Sequence, residues 1–209
     1  MEQRRTLIER LRRQIYGGQP TDDASITVGL VNVWLNDAIA AAAKANYTEN
    51  INIQGVEVIA NGFYTTYSDL AVTSEGNFVY KVALPEIPVG LGVNMGVASL
   101  KFSDGQLVSF DAIPMNINQT GISRGRRIIP NKLLYWTEGK SAFVESPNYN
   151  LATTTAVVRM VSGGDSADLT SEVNVPPDYF PVMVEYIKAQ LAFEQAQQQD
   201  LSNDGTDNK

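Results

Sequence analysis

Histidine and cysteine, which carry much of the acid–base, nucleophilic and metal-binding chemistry of proteins, are both absent from this chain of 209 residues. Their absence excludes disulfide bonds, Cys/His zinc sites, thiol nucleophiles and the commonest general base. Any catalysis would have to rest on Asp, Glu, Lys, Tyr or Ser side chains. We therefore predict that the protein is not an enzyme, with no catalytic residues, no cofactor site and no metal site.

Two short segments match functional motifs by their letters alone. Residues 121–125 read GISRG, the Gly-x-Ser-x-Gly pattern of serine nucleophiles. No helical pattern follows and no histidine exists to activate Ser123, so we interpret the segment as a glycine-rich loop. Residues 139–141 read GKS, like the end of a phosphate-binding loop, but Leu134 replaces the required earlier glycine and the pattern is that of a hairpin.

Acidic side chains that could hold a cation occur in two segments. The terminal DLSNDGTDN opens like a calcium loop, but the chain ends before the bidentate glutamate of such a loop. Asp165, Asp168 and Glu172 lie in a Gly-Ser-Asp segment whose acids are expected to face water. Neither segment predicts a metal site.

The arginines are concentrated in two segments of an otherwise acidic protein. The net charge of −7 argues against nucleic-acid binding over the whole surface, because phosphate neutralisation needs clustered cations. A solvated face is the commoner explanation for such runs, and a basic patch that docks acidic partners or lines a DNA passage is the sharper one. The patch would comprise Arg4, Arg5, Arg12, Arg13, Arg124, Arg126 and Arg127.

Two helices are predicted in the first fifty residues. Residues 3–16 repeat apolar side chains at a helical spacing, and the glycine pair at 17–18 ends the helix. Asp22 and Asp23 occupy the positions of an N-cap and a first-turn acid for a second helix over residues 24–46.

No stretch of about twenty apolar residues exists, so we expect neither a membrane span nor a cleaved leader.

The period of the apolar residues changes to two from Ile51, which predicts strands. Asp104-Gly105 and Glu138-Gly139 are hairpin signals between alternating runs, TTTAVVRMVS is a further strand, and residues 84–96 fit a long ordered loop. We expect about seven to nine strands. The predicted fold class is α+β, with an N-terminal helical hairpin, an antiparallel β-sandwich or barrel-like middle, and a C-terminal helix that packs back on the helices.

The C-terminal helix is predicted over residues 179–198, with Asp178 as its cap. It is apolar on nearly all sides, so both of its faces must be covered. One face is expected in the core, through Phe180, Met183, Ile187 and Leu191. The other face is expected to meet a partner, through Val182, Tyr186, Ala189 and Phe193. The predicted domains are residues 1–50, 51–175 and 176–199, followed by a flexible tail at 200–209.

The order of these segments resembles a known family. A basic helix ending in YGGQPTDD, a long helix, a β region with GFYTTYSDLAV and LPEIPVGLG, and a terminal VPPDYFPVMVEYIKAQLAFEQAQ helix are similar to the head-to-tail connector proteins of tailed bacteriophages. The resemblance is closest to the adaptor or ring proteins of crAss-like and other short-tailed phages. It covers most of the chain.

The resemblance implies a non-enzymatic virion protein, made in the host cytoplasm and located at the head–tail junction. Such proteins form closed homo-oligomeric rings, commonly dodecamers, beneath the portal and around the DNA channel. The implied partners are the portal and further tail or ring proteins, and the basic patch leaves room for non-specific DNA contact in the channel.

Two other functions stay open from the sequence. A β-rich receptor- or carbohydrate-binding virion module would explain the strands, but it is expected to display Trp or Tyr on loops, whereas Trp34 and Trp136 fall within regular patterns. A carboxylate-based hydrolase needs two acids held across a cleft, and no acid pair stands out.

Overall fold

A computed structural model describes residues 2–20, 26–56, 58–91, 96–103, 109–114, 133–146 and 149–203. The chain divides into two compact units. A helical unit comprises residues 1–59 and 166–209, and a barrel unit comprises residues 60–165. Helices and a closed barrel together confirm the predicted α+β class.

Three helices and one small sheet form the helical unit. The helices are α1 (Arg4–Tyr16), α2 (Val28–Gln54) and α3 (Phe180–Asn203). The sheet pairs β1 (Glu2–Gln3) antiparallel with β9 (Glu172–Val173). Both α1 and α3 pack on α2, and the shared core contains Leu7, Ile8, Leu11, Val31, Leu35, Ala38, Ile39, Phe180, Met183 and Ile187.

The first helix agrees with its prediction and the second begins later than predicted. Gly17 ends α1 in the left-handed region, at φ 67°, where glycine has no Cβ to strain. The N-cap of α2 is Thr27, whose Oγ1 accepts a hydrogen bond from the Leu30 amide at 3.2 Å. The predicted start at residue 24 and the predicted capping by Asp22 or Asp23 were therefore wrong. Both aspartates lie outside the described residues.

Helix α2 also continues past the point where strands were expected. It ends at Gln54, and Gly55 is its left-handed C-cap at φ 67°. The alternation of Ile51 and Ile53 was thus wrongly interpreted as a strand. No glycine or proline interrupts the chain between Val31 and Gln54, and helix propagation is cooperative, so the helix runs to the first residue that can end it. The predicted domain boundary after residue 50 falls inside this helix.

Seven strands close into the barrel in the order β2-β3-β7-β6-β5-β4-β8. Neighbours are antiparallel except β5 and β6, which are parallel, so the expectation of an antiparallel region was wrong for this pair. A parallel pair needs a long crossover, and residues 115–132 provide its length. The strands are β2 (Tyr64–Gly76), β3 (Val79–Ala83), β4 (Val97–Ser103), β5 (Ser109–Pro114), β6 (Leu133–Glu138), β7 (Ser141–Glu145) and β8 (Thr155–Val161).

Alternating side chains fill the barrel interior. In β8, Ala156, Val158 and Met160 are fully buried, while the residues between them are half-buried. The same alternation in the other strands produces one apolar cluster, as expected for a small closed barrel. Its further members include Val72, Tyr80, Val82, Leu100, Phe102, Leu133, Tyr135, Ala142 and Val144.

The hairpin predictions hold wherever the chain is described. Glu138 pairs with Ser141, which leaves Gly139 and Lys140 as a two-residue loop with Gly139 at φ 55°. The GKS match is therefore a hairpin. Strands β4 and β5 are antiparallel neighbours, although their Asp104-Gly105 turn lies outside the described residues. Residues 84–91 form no strand, in agreement with the predicted loop.

Candidate partner surface

Helix α3 has one buried face and one face that is only partly covered. Phe180, Met183 and Ile187 are at most 3% exposed, so this part of the inner face belongs to the core as predicted, whereas the predicted Leu191 is only half-buried. On the opposite side, Val182 and Tyr186 are half-buried, whereas Ala189 is exposed and Phe193 is 61% exposed. We refer to Val182, Tyr186, Ala189 and Phe193 as the outer stripe. The predicted partner residues therefore do share one helical face.

The start of α3 is fastened to α2 by a polar triad. The Tyr179 hydroxyl donates to the Glu49 carboxylate and accepts a hydrogen bond of 2.7 Å from Nδ2 of the buried Asn46. The hydrogen bond to Glu49 raises the pKa of Tyr179. Asp178 lies within a 3₁₀ turn, Pro177–Tyr179, so α3 begins at Phe180 instead of directly after a capping aspartate. The triad fixes which face of α3 turns outward.

A second contact, between a cation and an aromatic ring, holds the same end of α3 against α1. The Arg10 guanidinium lies 4.2 Å from the centre of the Phe180 ring, an arrangement that attracts the cation to the ring face. Arg10 also pairs with Glu2 at 3.5 Å. The N-terminal end of α3 is thus held by both α2 and α1. The residues of the outer stripe take part in neither contact.

Helix α2 exposes apolar side chains near its C-terminal end and also at Val33. Val33 is 70% exposed and Ile53 is 72% exposed, and Val56 and Val58 beyond the helix are 46% and 45% exposed. The face of α2 next to Ile53 is open and nearly flat. It is lined by Lys44, Ala45, Thr48, Glu49, Asn52 and Ile53.

The predicted basic patch is smaller in the structure than in the sequence. Arg4 is fully buried, so its inclusion was wrong. Its guanidinium donates to the Asn32 and Asn36 side-chain oxygens, at 2.6 and 2.8 Å, because the start of α1 packs against α2. Arg12 is half-buried and donates to the Ile26 carbonyl at 2.9 Å.

Of the predicted arginines on α1, only Arg5 and Arg13 are exposed. Arg124, Arg126 and Arg127 lie outside the described residues, and so does the GISRG segment. The structure therefore leaves the loop half of the basic patch as a prediction.

One polar cluster in the barrel unit pairs a buried serine with a tyrosine. The Tyr67 hydroxyl and the buried Ser162 hydroxyl are 2.8 Å apart. Burial raises the pKa of Tyr67, more than its hydrogen bond to Ser162 lowers it, so the phenol stays protonated near neutral pH. A protonated phenol cannot act as the base that would activate Ser162.

Neither a cation site nor a membrane span is found in the described parts of the chain. No three acidic side chains there are grouped closely enough to hold a metal ion. Asp168 instead accepts hydrogen bonds from the amide and hydroxyl of Thr170, which lower its pKa. No helix in these ranges has a segment long and apolar enough to cross a bilayer.

Two features of the barrel surface were missed by the sequence reasoning. The β2–β3 turn exposes Phe78, which lies in the region after Ile51 where strands were predicted. On the outer barrel wall, Trp136 and Phe143 stack with ring centres 5.6 Å apart. The signal for the first was the Gly-Asn pair at 76–77, a turn signal that was passed over within a long aromatic and β-branched stretch.

Comparison with known proteins adds no relative. A scan against protein-family models gave no match, and a search of curated proteins also gave none.

Proposed function

We propose that the protein is a structural virion subunit that assembles into a homo-oligomeric ring beneath the portal, between capsid and tail and around the DNA channel. The observation that carries the proposal is the outer stripe of α3, which ends in a Phe193 side chain that is 61% exposed. The location in the virion, the portal as partner and the dodecameric state come from the sequence resemblance alone.

The physical argument is that apolar side chains of the helical unit are exposed to water along one face of α3. Single exposed apolar residues are normal, but large contiguous patches mark interaction sites. Along α3, the exposed Ala189 and Phe193 continue the line of the half-buried Val182 and Tyr186, so the exposed residues extend one helical face. A partner that covers this stripe would remove the apolar side chains from water, which favours association.

Ring closure sets a further requirement. A closed ring repeats one heterologous contact, so each subunit must present two different surfaces. The outer stripe is a candidate for one of them. No enzymatic role is proposed, because the Tyr67 phenol stays protonated beside Ser162 and the sequence contains neither histidine nor cysteine.

The test is the double substitution Tyr186→Ala and Phe193→Ala. We expect a folded protein that no longer assembles, because both side chains lie on the outer stripe, where Phe193 is exposed and Tyr186 is only partly covered by its own subunit. Negative-stain imaging and mass photometry of the purified protein report rings, and circular dichroism reports folding. Lys188→Ala is the matched control, since Lys188 is exposed on the same helix but off the stripe. A double variant that assembles like the control would contradict the proposal.

A carbohydrate-binding role is a second candidate, favoured by the stacked Trp136 and Phe143 on the barrel wall. Aromatic surfaces near polar groups suit sugar rings, and Lys81 lies 5.9 Å from the Phe143 ring while Glu138 accepts from the Trp136 indole. Glycan-array binding that is lost in Trp136→Ala would support this role. If the protein assembled into an oligomeric ring and bound no glycan, the carbohydrate-binding role would be excluded in favour of the first proposal.

A further inference from the structure

The turn that leads into the barrel contains the only Asn-Gly pair of the sequence, Asn61-Gly62. Both residues are exposed and belong to a single 3₁₀ turn, Asn61–Phe63, whose last residue is fully buried. Strand β2 begins directly afterwards, at Tyr64. A single 3₁₀ turn has poor hydrogen-bond geometry, so its two exposed residues can leave the turn conformation at a low free-energy cost.

An asparagine that is followed by glycine can react with its own backbone. Attack of the Gly62 nitrogen on Cγ of Asn61 closes a five-membered ring, and such an intramolecular attack has a large entropic advantage. Glycine has no Cβ that would crowd the nitrogen or restrict its approach. The nitrogen–Cγ bond forms, the amide proton passes to water, and the side-chain nitrogen leaves as ammonia. Water then opens the resulting succinimide at either carbonyl, which yields aspartate or isoaspartate.

A guanidinium group lies at the oxygen atom on which negative charge develops during this attack. Nη2 of Arg159 donates a hydrogen bond of 3.1 Å to Oδ1 of Asn61. In the tetrahedral intermediate Oδ1 is an oxyanion, and a positioned cationic donor stabilises such a charge. The guanidinium is held in place by the Tyr64 ring, whose centre lies 5.0 Å away. The exposed Asn-Gly pair therefore has an electrostatic stabiliser of the reaction beside it.

We propose that Asn61 is a site of spontaneous deamidation, that Arg159 promotes the reaction, and that the isoaspartate product loosens the entry to the barrel. Isoaspartate continues the chain through its side-chain carbon and so adds one backbone atom before Gly62. Because Phe63 is fully buried and β2 begins at the next residue, the added atom displaces a core side chain. The modification needs only water, and it is independent of the proposed assembly.

Mass spectrometry of aged protein tests the site. Trypsin releases residues 45–81 as one peptide, which contains both Asn61 and Asn77. Asn77 is the matched internal control, since it is also exposed but is followed by Phe78, whose side chain crowds the attacking nitrogen. After incubation of the purified protein at slightly alkaline pH, we expect aspartate and isoaspartate at position 61 and unmodified asparagine at position 77. Unmodified Asn61, or equal conversion at the two positions, would overturn the proposal.

Substitutions of Arg159 test the role of its guanidinium. Arg159→Met removes the donor and keeps a long side chain. The deamidation rate should fall by about three- to tenfold, which is less than for a buried oxyanion donor because this site is open to solvent. Arg159→Lys keeps the charge without the guanidinium fork, so its rate should lie between those of wild type and Arg159→Met. Circular dichroism checks that each variant is folded. Either folded variant reacting as fast as wild type would contradict the role of Arg159.

Asn61→Asp separates the change of charge from the change of backbone. The variant places a carboxylate beside the Arg159 guanidinium with a normal backbone, so its Tm should equal or slightly exceed that of fresh wild type. Aged protein that is rich in isoaspartate should instead have a lower Tm. An aged sample with the Tm of fresh protein would show that the product leaves the barrel entry intact, which would overturn that part of the proposal.

Discussion

The barrel unit and the helical unit differ in where their apolar side chains go. In the barrel, inward-facing residues of the strands whose side chains are described form one apolar cluster, and the large apolar residues exposed in its described parts are Phe78 and Ile87. In the helical unit, Val33, Ile53 and Phe193 are all more than 60% exposed. In the described residues, the helical unit thus exposes six large apolar side chains and the barrel unit exposes two.

Geometry accounts for the difference. A strand with a period of two has one apolar face, and closing the sheet buries that face and pairs every edge. A helix that is apolar on nearly all sides cannot bury every side against two neighbours. Exposed apolar surface on α2 and α3 is therefore a consequence of sequence composition, and it persists until another molecule covers it.

The largest expected effect contrasts the two faces of α3. Ile187 is fully buried, so Ile187→Ala should lower the free energy of unfolding by about 2–5 kcal/mol through lost contacts and a residual cavity. Phe193→Ala removes a larger side chain from an exposed position and should change it by only about 0.5 kcal/mol or less. Urea unfolding followed by circular dichroism measures both.

The same pair of variants distinguishes partner surface from core. If Phe193→Ala destabilised the subunit as much as Ile187→Ala, the outer stripe would be part of the core and the contrast between the units would disappear. Comparing dilute protein with protein at assembly concentration keeps the two contributions apart, because association stabilises the folded state.

An intermediate effect is expected inside the barrel at alkaline pH. Burial raises the pKa of Tyr135 to about 12, and its hydroxyl donates to the Val97 carbonyl at 3.2 Å. The unfolded side chain ionises near pH 10, so the stabilising contribution is complete below pH 10 and is lost as pH rises toward 12. The loss should reach about 2–3 kcal/mol.

Tyr135→Phe tests the assignment of this alkaline transition. The variant should lose the contribution of Tyr135 to the pH dependence of the unfolding free energy between pH 10 and 12, since phenylalanine cannot ionise, while the contributions of Tyr67 and Tyr179, whose pKa values are also raised, remain. Wild-type protein and the variant with equal slopes in this range would mean that another group is responsible. Unfolding midpoints in urea at several alkaline pH values provide the comparison.

Local sequence signals predicted the elements, whereas their arrangement depended on distant contacts. Glu138-Gly139 marked the β6–β7 hairpin because a two-residue turn needs only local chemistry. The parallel β5–β6 pair was not predictable, since pairing across the 115–132 connection is non-local. The burial of Arg4 was hidden for the same reason, because its acceptors on Asn32 and Asn36 lie far along the chain.

The predicted partner face shows what helical spacing can and cannot predict. Helical spacing correctly grouped Val182, Tyr186, Ala189 and Phe193 on one side of α3. Spacing alone did not say that Tyr186 would be half covered by its own subunit while Phe193 is left exposed. Such coverage depends on which elements of the fold pack against α3, and helical spacing does not predict them.

The smallest expected effect tests where the helical unit begins its longest helix. Thr27 accepts a hydrogen bond from the Leu30 amide, one of the first-turn donors that has no partner within the helix. Thr27→Ala should therefore lower the free energy of unfolding by about 1 kcal/mol. Thr48→Ala is the matched control, because Thr48 is an exposed residue of the same helix whose hydroxyl bonds only to the Lys44 carbonyl behind it. Alanine is a better helix former than threonine, so the control should be neutral or slightly stabilising.

Asp23→Ala completes the set, since the sequence alone favoured an aspartate cap. If the aspartate substitution proved costly and Thr27→Ala matched the control, α2 would begin earlier than Val28, and the sequence-based start would be the correct one.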